Sequence, residues 1–283
     1  MSSHCSFRTG GCADIFAEPE NEEQLAEMIT EFRSSGMQYT VIGKGSNILV
    51  SDKGYRGAVI HIGDSFSDIR MEPDGSIYTG SGTPLSQLSS FAAKNSLKGL
   101  EFASGIPGTV GGGIIMNAGA YGGEIKDTIK SARILDSDLT VREIDASDME
   151  LGYRHSVFQD SEDIILSAVF SPDPGDRAES ERMMKEFNQR RAEKQPLNFP
   201  SAGSTFRRPE GAYAGTLIQE CGLKGYSIGG AQVSEKHAGF IINTGSATSE
   251  DVFRLIQHVR KTVFEKTGFE LKPEVKFIGE FSL

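Results

Sequence analysis

With 283 residues, 37% of them hydrophobic and 24% charged, the chain can build a soluble globular protein of two or three modules of roughly 100–150 residues each. A formal net charge of −10 argues against nonspecific nucleic-acid binding, which leans on a basic surface, and obliges any anionic ligand to find a local basic patch. No apolar run approaches the roughly 20 residues of a membrane span, and no basic stretch leading into an apolar one opens the chain, so neither anchoring nor export is expected and a cytoplasmic location follows. Three cysteines, Cys5, Cys12 and Cys221, lack CxxC or Cys/His ligand spacing, so neither a disulfide framework nor a metal site is expected.

In chain order, Leu25, Met28, Ile29 and Phe32 recur at helical spacing between Asn21, a suitable N-cap with Gln24 three residues on, and Gly36, a terminator. Tyr39–Ile42 and Ile48–Val50 read as short buried strands around a glycine knot, Gly43-Lys44-Gly45-Ser46-Asn47. Thr83-Pro84 opens a second helix carrying Leu85, Leu88, Phe91 and Ala92, with Gly99 closing it. Ile129–Leu135 and Ile164–Phe170 are expected to be strands of one sheet. Ser171-Pro172-Asp173-Pro174-Gly175-Asp176 gathers two prolines and a glycine among turn formers and predicts a junction between a domain over 1–175, with subdomains of about 1–60 and 61–175, and a domain over 176–283. Beyond it the pattern predicts a helix from about Ala178 to Lys194 with Met183, Met184 and Phe187 toward a core, a loop over Gln195–Gly203, helices over Tyr213–Cys221 and Ser249–Thr267, and a closing strand Phe269–Ile278.

Glycine is densest in Ser104-Gly105-Ile106-Pro107-Gly108-Thr109-Val110-Gly111-Gly112-Gly113 and in Asn117-Ala118-Gly119-Ala120-Tyr121-Gly122-Gly123. Glycines allow positive φ and close approach, so their N–H groups can converge on an anion such as a pyrophosphate. A solvated linker is the alternative, against which stand Ile106, Val110, Ile114, Ile115 and Met116 within the run. Neither glycine region contains GxxxxGK[ST], and neither supplies a GxGxxG fingerprint opening a helix, which disfavours the commonest nucleotide folds.

The pair Gly43-Lys44-Gly45-Ser46-Asn47-Ile48-Leu49-Val50 and Gly105-Ile106-Pro107-Gly108-Thr109-Val110-Gly111-Gly112 resembles the FAD-binding domain of vanillyl-alcohol-oxidase-type flavoproteins. Adding Ser6-Phe7-Arg8-Thr9-Gly10-Gly11, Asn117-Ala118-Gly119-Ala120-Tyr121-Gly122, Gly152-Tyr153-Arg154-His155-Ser156-Val157-Phe158 and Ala202-Gly203-Ser204-Thr205-Phe206, the chain from about Ser6 to Ile278 resembles the UDP-N-acetylenolpyruvoylglucosamine reductase family. The short connection between Phe170 and Ala178 resembles the subtype without a tyrosine-bearing insertion.

The fold implied by this resemblance is α+β: a vanillyl-alcohol-oxidase-type (PCMH-type) FAD-binding domain of two α/β subdomains plus a C-terminal α+β substrate-binding domain. The implied cofactor is noncovalent FAD, held by Gly43, Lys44, Gly45, Ser46, Asn47, Ser104, Gly105, Ile106, Pro107, Gly108, Thr109, Gly111 and Gly112. NADPH is the implied cosubstrate and UDP-N-acetylglucosamine enolpyruvate the implied substrate of a monomeric enzyme of peptidoglycan synthesis. The resemblance casts Arg154 as the cation that polarises the enolpyruvyl carboxylate, Ser204 as the proton donor and Glu274 as the carboxylate beside Arg154. It gives Lys194 to the UDP pyrophosphate, Arg208 and His237 to the substrate, and one of Arg190 or Arg191 to FAD. Arg207-Arg208-Pro209 stands where many relatives carry Lys-Asn-Pro, so an amide contact becomes a guanidinium contact. Two rivals are a covalent flavin oxidase, disfavoured by the lack of a convincing attachment histidine or cysteine, and a noncatalytic flavin- or UDP-sugar-binding regulator, which could dispense with Arg154, Ser204 and Glu274.

Overall fold

The computed structural model describes residues 1–282. The chain forms two compact units, one of residues 16–44 and 58–191 and one of residues 1–15, 45–57 and 192 onward. We call them the cradle unit and the terminal unit.

In the cradle unit, helix α1 (Glu22–Ser34) starts where the sequence places its cap: the Asn21 side chain accepts from Gln24 N at 2.9 Å, and the Gln24 side chain accepts from Glu20 N at 2.9 Å. Its apolar face, Leu25, Ile29 and Phe32, packs with Ala58, Ile60, Ile62, Phe66, Leu135, Ile164 and Leu166. Tyr39–Ile42 runs parallel to the strand Tyr55–His61, with Tyr39 opposite Ala58 and Ile42 opposite His61. Ile129–Leu135 and Ile164–Phe170 do share a sheet, a five-stranded antiparallel one in the order Val141–Asp145, Ile129–Leu135, Ile164–Phe170, Ile77–Gly80, Ile69–Met71.

Helices α2 (Leu85–Lys94) and α3 (Val110–Ile115) bury Leu85, Leu88, Ala92, Val110 and Ile114 against Ile165 and Phe170 of that sheet and against Phe102 and Ile125 of the loops beside it. The second helix ends earlier than Gly99, because the Asn95 side chain donates to Phe91 O at 2.8 Å and occupies the end of the helix. Helix α4 (Arg177–Lys194) is polar, and Ser180 is its buried residue; Met183, Met184 and Phe187 are half-buried, not core.

The turn formers of Ser171–Asp176 lie inside the cradle unit. Asp173 and Pro174 pair antiparallel with Lys98 and Leu97, and Gly175 N donates to Ser96 O at 2.8 Å. A Cβ on Gly175 would stand 2.8 Å from Lys98 Cβ, so this glycine serves a close docking of backbone. The proline and glycine signal there marks a packed turn, and the chain leaves the cradle unit at Arg191.

The terminal unit carries α5 (Ala214–Glu220), α6 (Ser249–Thr267) and an antiparallel sheet of Ser227–Ile228, Ala231–Val233 and Ile241–Asn243. Thr248 and Asp251 form a reciprocal capping box at 3.0 Å each way, and Gly268 at φ +75° ends the helix in the left-handed region. Val252, Leu255, Ile256, Val259 and Val263 pack with Phe7, Leu49 and Ile241. The closing strand is only Lys276–Ile278, parallel to Ile48–Val50; Pro273, which has no N–H for a ladder, makes a single bridge to Phe206.

Candidate active site

The two glycine regions meet in the cradle unit. A Cβ on Gly43 would lie 2.5 Å from Thr109 Oγ1, so the loops approach there only because this residue is glycine, and one on Gly111 would lie 3.0 Å from Ser81 Cβ, a tight contact that Ser81 would have to yield to. Gly112 differs, because its Cβ position has only Thr109 Oγ1 at 3.9 Å and faces space that a ligand can take. The N–H groups of Lys44, Gly108 and Thr109 donate to no backbone carbonyl among the described residues, and the hydroxyls of Ser81 and Ser104 are buried without a partner. Unpaired buried donors are costly unless a ligand or water satisfies them. Ile106 packs on the core while Pro107 stays exposed, which holds the run as a ledge. Glycines, unspent N–H groups and orphaned hydroxyls together fit a bound pyrophosphate such as that of FAD. Replacing Gly43 with alanine forces Thr109, itself buried, to move at a cost of about 1–3 kcal/mol. Roughly tenfold weaker FAD retention is expected on serial dilution, and full flavin occupancy in this variant would contradict the assignment.

In the terminal unit Gly45 sits at φ +63°, and a Cβ there would collide with the His4 carbonyl. Ser6 N donates to Gly45 O at 3.0 Å and the Ser6 hydroxyl to Ser46 O at 3.3 Å, so the Ser6 motif supports this loop. Asn47 donates its side-chain N–H to Glu274 O at 3.1 Å and accepts from Lys276 N at 3.0 Å.

Arg154 lies at the tip of a two-residue turn closed by Gly152 N to His155 O at 3.1 Å and His155 N to Gly152 O at 3.2 Å. Its φ of +53° is rare for a side-chain-bearing residue, costs of order 1–3 kcal/mol and persists because the surroundings hold it. Asn117, fully buried, donates to Gly152 O at 2.9 Å and to Glu124 at 2.7 Å, and accepts from Lys126 N at 3.0 Å. Gln159 bridges Arg154 O and Ile115 O at 2.9 and 3.0 Å, and the Arg154 guanidinium reaches Gly119 O at 3.3 Å. The Asn-Ala-Gly-Ala-Tyr-Gly motif is therefore the mount on which the arginine turn is fixed.

Of the two arginines that the resemblance offers to FAD, the structure separates Arg190, exposed and paired with Glu186, from Arg191, which is half-buried against the cradle. A Cβ on Gly105 would collide with Asn188 and come within 3.0 Å of Arg191 Nη1. Burial pushes the Arg191 guanidinium below its usual value; Tyr121 offsets part of this, and the like charge of Arg154 adds to it. Helix periodicity alone could not distinguish 190 from 191, because Gly105, the residue that Arg191 faces, is distant in sequence. Tyr121 also stacks on Phe187, ring centroids 4.6 Å apart and planes 8° from parallel, a contact the sequence reading did not contain.

Ser204 and Glu274 are brought together in the terminal unit through the residue between Ser204 and Phe206. Thr205 O accepts from Glu274 N at 2.8 Å, Thr205 N donates to Gly239 O at 2.9 Å, and the Thr205 hydroxyl accepts from Ile241 N at 3.1 Å. Ser204 itself is exposed after Gly203, which takes φ +77°, and Glu274 is half-buried. Arg154 belongs to the cradle unit. Lys194, in the terminal unit, is exposed at the end of α4, and the Arg208 guanidinium lies 4.1 Å from the Tyr213 ring centroid.

His237 Nδ1 accepts from Gly239 N at 3.1 Å, so the neutral ring carries its proton on Nε2. Burial lowers its pKa below the usual 6.5, with Lys224 adding to the shift. A depressed histidine pKa means that the unfolded chain binds more protons than the folded one as pH falls below about 6.5, so folding weakens with acid over that range. His237→Gln is expected to flatten the fall in stability between about pH 7 and pH 5, read from chemical denaturation; an unchanged pH profile would contradict the burial assigned to this ring.

Among the described residues no helix is long and apolar enough to cross a membrane, and no group of three or more His, Cys, Asp or Glu is placed to hold a metal ion. A family model described as an FAD binding domain matches residues 13–145, and one described as the UDP-N-acetylenolpyruvoylglucosamine reductase C-terminal domain matches 195–278. The UDP-N-acetylenolpyruvoylglucosamine reductase of Caldanaerobacter subterraneus subsp. tengcongensis is 48% identical over 280 residues, covering 99% of this chain and 92% of the relative. That of Clostridioides difficile is 47% identical over 280 residues, with the same coverages of 99% and 92%. The crystal structure of UDP-N-acetylenolpyruvylglucosamine reductase from Thermus caldophilus superposes with a TM-score of 0.84 at 32% identity, covering 98% of this chain and 97% of that one. The chain thus belongs to the UDP-N-acetylenolpyruvoylglucosamine reductase family, oxidoreductases that join an FAD-binding domain to the C-terminal domain named for the family.

Proposed function

We propose that the chain reduces UDP-N-acetylglucosamine enolpyruvate to UDP-N-acetylmuramate with NADPH as cosubstrate, as a cytoplasmic monomer serving peptidoglycan precursor synthesis. Noncovalent FAD, when bound, supplies the relay of a hydride from NADPH to the enolpyruvyl carbon. Gly43 to Asn47 and Ser104 to Gly112 hold its pyrophosphate through backbone N–H groups and the Ser81 and Ser104 hydroxyls. Arg191 adds a cation beside Gly105.

Arg154, permanently charged and preset at the tip of its turn, forks onto the enolpyruvyl carboxylate and stabilises the negative charge that develops there. Ser204 delivers the proton to the adjacent carbon; a hydroxyl is a weak acid, so its transfer requires that developing charge to be stabilised at the same moment. Glu274 orients the substrate acid, its backbone pinned by Thr205 O and by the Asn47 side chain. Lys194 takes the diphosphate of UDP, Arg208 contacts the substrate, and the His237 Nε2–H donates to it.

The observation that carries the reading is the Thr205 link, which fixes the Ser204 backbone beside that of Glu274 in a chain 48% identical to a named reductase. Support also comes from the strained mounting of Arg154, its turn held by Asn117, Gln159 and Gly119 O, which a regulator that merely bound flavin would have no reason to keep. The test is NADPH oxidation by the FAD-loaded protein with and without UDP-N-acetylglucosamine enolpyruvate. Oxidation well above background only with this substrate is expected, and equal rates in the two conditions would refute the proposal.

A further inference from the structure

Helix α4 is too polar to dock by apolar burial, yet one face of it meets the cradle at three levels. Near its start the Ser180 hydroxyl donates to Glu101 Oε1 at 2.5 Å, with Ser180 2% and Glu101 7% exposed. Glu101 Oε2 accepts from Gly99 N at 2.8 Å, so both carboxylate oxygens are engaged. Seven residues on, Phe187 stacks on Tyr121, and four further on Arg191 stands beside Gly105. Spacings of seven and four place Ser180, Phe187 and Arg191 on one helix face.

Glu101 and Gly105 are the two ends of a single 3-10 segment, Glu101–Gly105, which leads into the glycine run. The helix therefore spans this segment, clasped to its first residue by a buried charge-assisted hydrogen bond and laid over its last residue by Asn188 and Arg191. Sliding or rotating α4 by one residue would break the Ser180–Glu101 bond and leave a carboxylate oxygen buried without a partner, a penalty that holds the helix in one register. The Phe187–Tyr121 stack alone fixes no such register, because flat rings slide over one another at little cost.

We infer that Glu101 and Ser180 are positioning residues for the cofactor: their buried bond sets the register of α4 against the 101–105 segment and so places the Arg191 guanidinium at Gly105. The inference rests on the assignment of Arg191 to FAD and adds the device that aims it. No covalent or redox step is involved; the effect is on binding of the cofactor.

The test is a double-mutant cycle read as the FAD dissociation constant, from recovery of flavin fluorescence on serial dilution of the holoenzyme. Arg191→Gln and Ser180→Ala are each expected to weaken FAD by roughly tenfold, and the double variant by no more than Arg191→Gln alone, because without the guanidinium there is nothing left to aim. If Ser180→Ala does not fold, Ser180→Cys, which fills the same space but whose thiol is only a weak donor, completes the same cycle. Losses that multiply in the double variant would show that the clasp merely stabilises the fold and would overturn the inference. An FAD affinity unchanged by Arg191→Gln would instead overturn the assignment of Arg191 on which it rests.

Discussion

Ser204→Ala is expected to slow the half-reaction with UDP-N-acetylglucosamine enolpyruvate by roughly 10²–10⁴-fold, the range for loss of a general acid, and to leave the half-reaction with NADPH unchanged. The asymmetry follows from chemistry, since only saturation of the enolpyruvyl double bond consumes a proton at carbon. It also follows from position. Ser204 is exposed at a glycine turn, so removing its hydroxyl opens no cavity and orphans no buried partner. Its backbone course is set by the Thr205 bonds to Gly239, Ile241 and Glu274, all of which survive the substitution. Rapid mixing of each half-reaction checks the split, and equal slowing of both would remove Ser204 from the proton step.

Arg154→Lys is expected to lower kcat by about 10²–10³-fold, with retention of FAD. Lysine keeps the charge and can adopt the same backbone, but loses the planar fork that meets two carboxylate oxygens at once. The bond of the guanidinium to Gly119 O also goes, so the replacement cation is aimed less well. Because Arg154 already pays for a φ of +53°, glycine at this position would relax the turn while removing the cation altogether. Arg154→Gly should thus be at least as inactive as Arg154→Lys while unfolding at an equal or higher temperature. A variant that lost stability and activity in proportion would point to a structural arginine.

Much of the local structure is legible in the sequence because it is decided by neighbours. Asn21 and Gln24 announce the start of α1, and the apolar period through Val252, Leu255, Ile256, Val259 and Val263 places α6 at about Ser249 to Thr267, where the structure has it. Both glycine regions announce a backbone that must come close to something, and Gly43 against Thr109 shows two such demands meeting. What the sequence conceals is long-range. Nothing local says that residues 1–15 and 45–57 fold with the C-terminal third, since the bond that ties the N-terminal segment in, Asn243 to Phe7 O at 2.9 Å, joins residues 236 apart.

Helix α4 reads as amphipathic from Met183, Met184 and Phe187, yet the residue it buries is Ser180, because its docking partner is a carboxylate and not an apolar core. Proline and glycine at 172–175 read as a junction but build a packed turn, because the same residues serve any sharp reversal, buried or exposed. In the site, Arg154, Ser204 and Glu274 are singled out by the family resemblance of the motifs around them, since Glu274 alone reads as a solvated strand residue and Ser204 as a turn residue, whereas the hydrogen bonds of Asn117, Gln159 and Thr205 emerge only from the structure.

The most direct measurement is anaerobic: the FAD-loaded protein is reduced with one equivalent of NADPH and then mixed with UDP-N-acetylglucosamine enolpyruvate while the flavin absorbance is followed. Rapid return of the oxidised flavin spectrum, with UDP-N-acetylmuramate formed in matching amount, is the predicted result. A spectrum that stays reduced until oxygen is admitted would contradict the account.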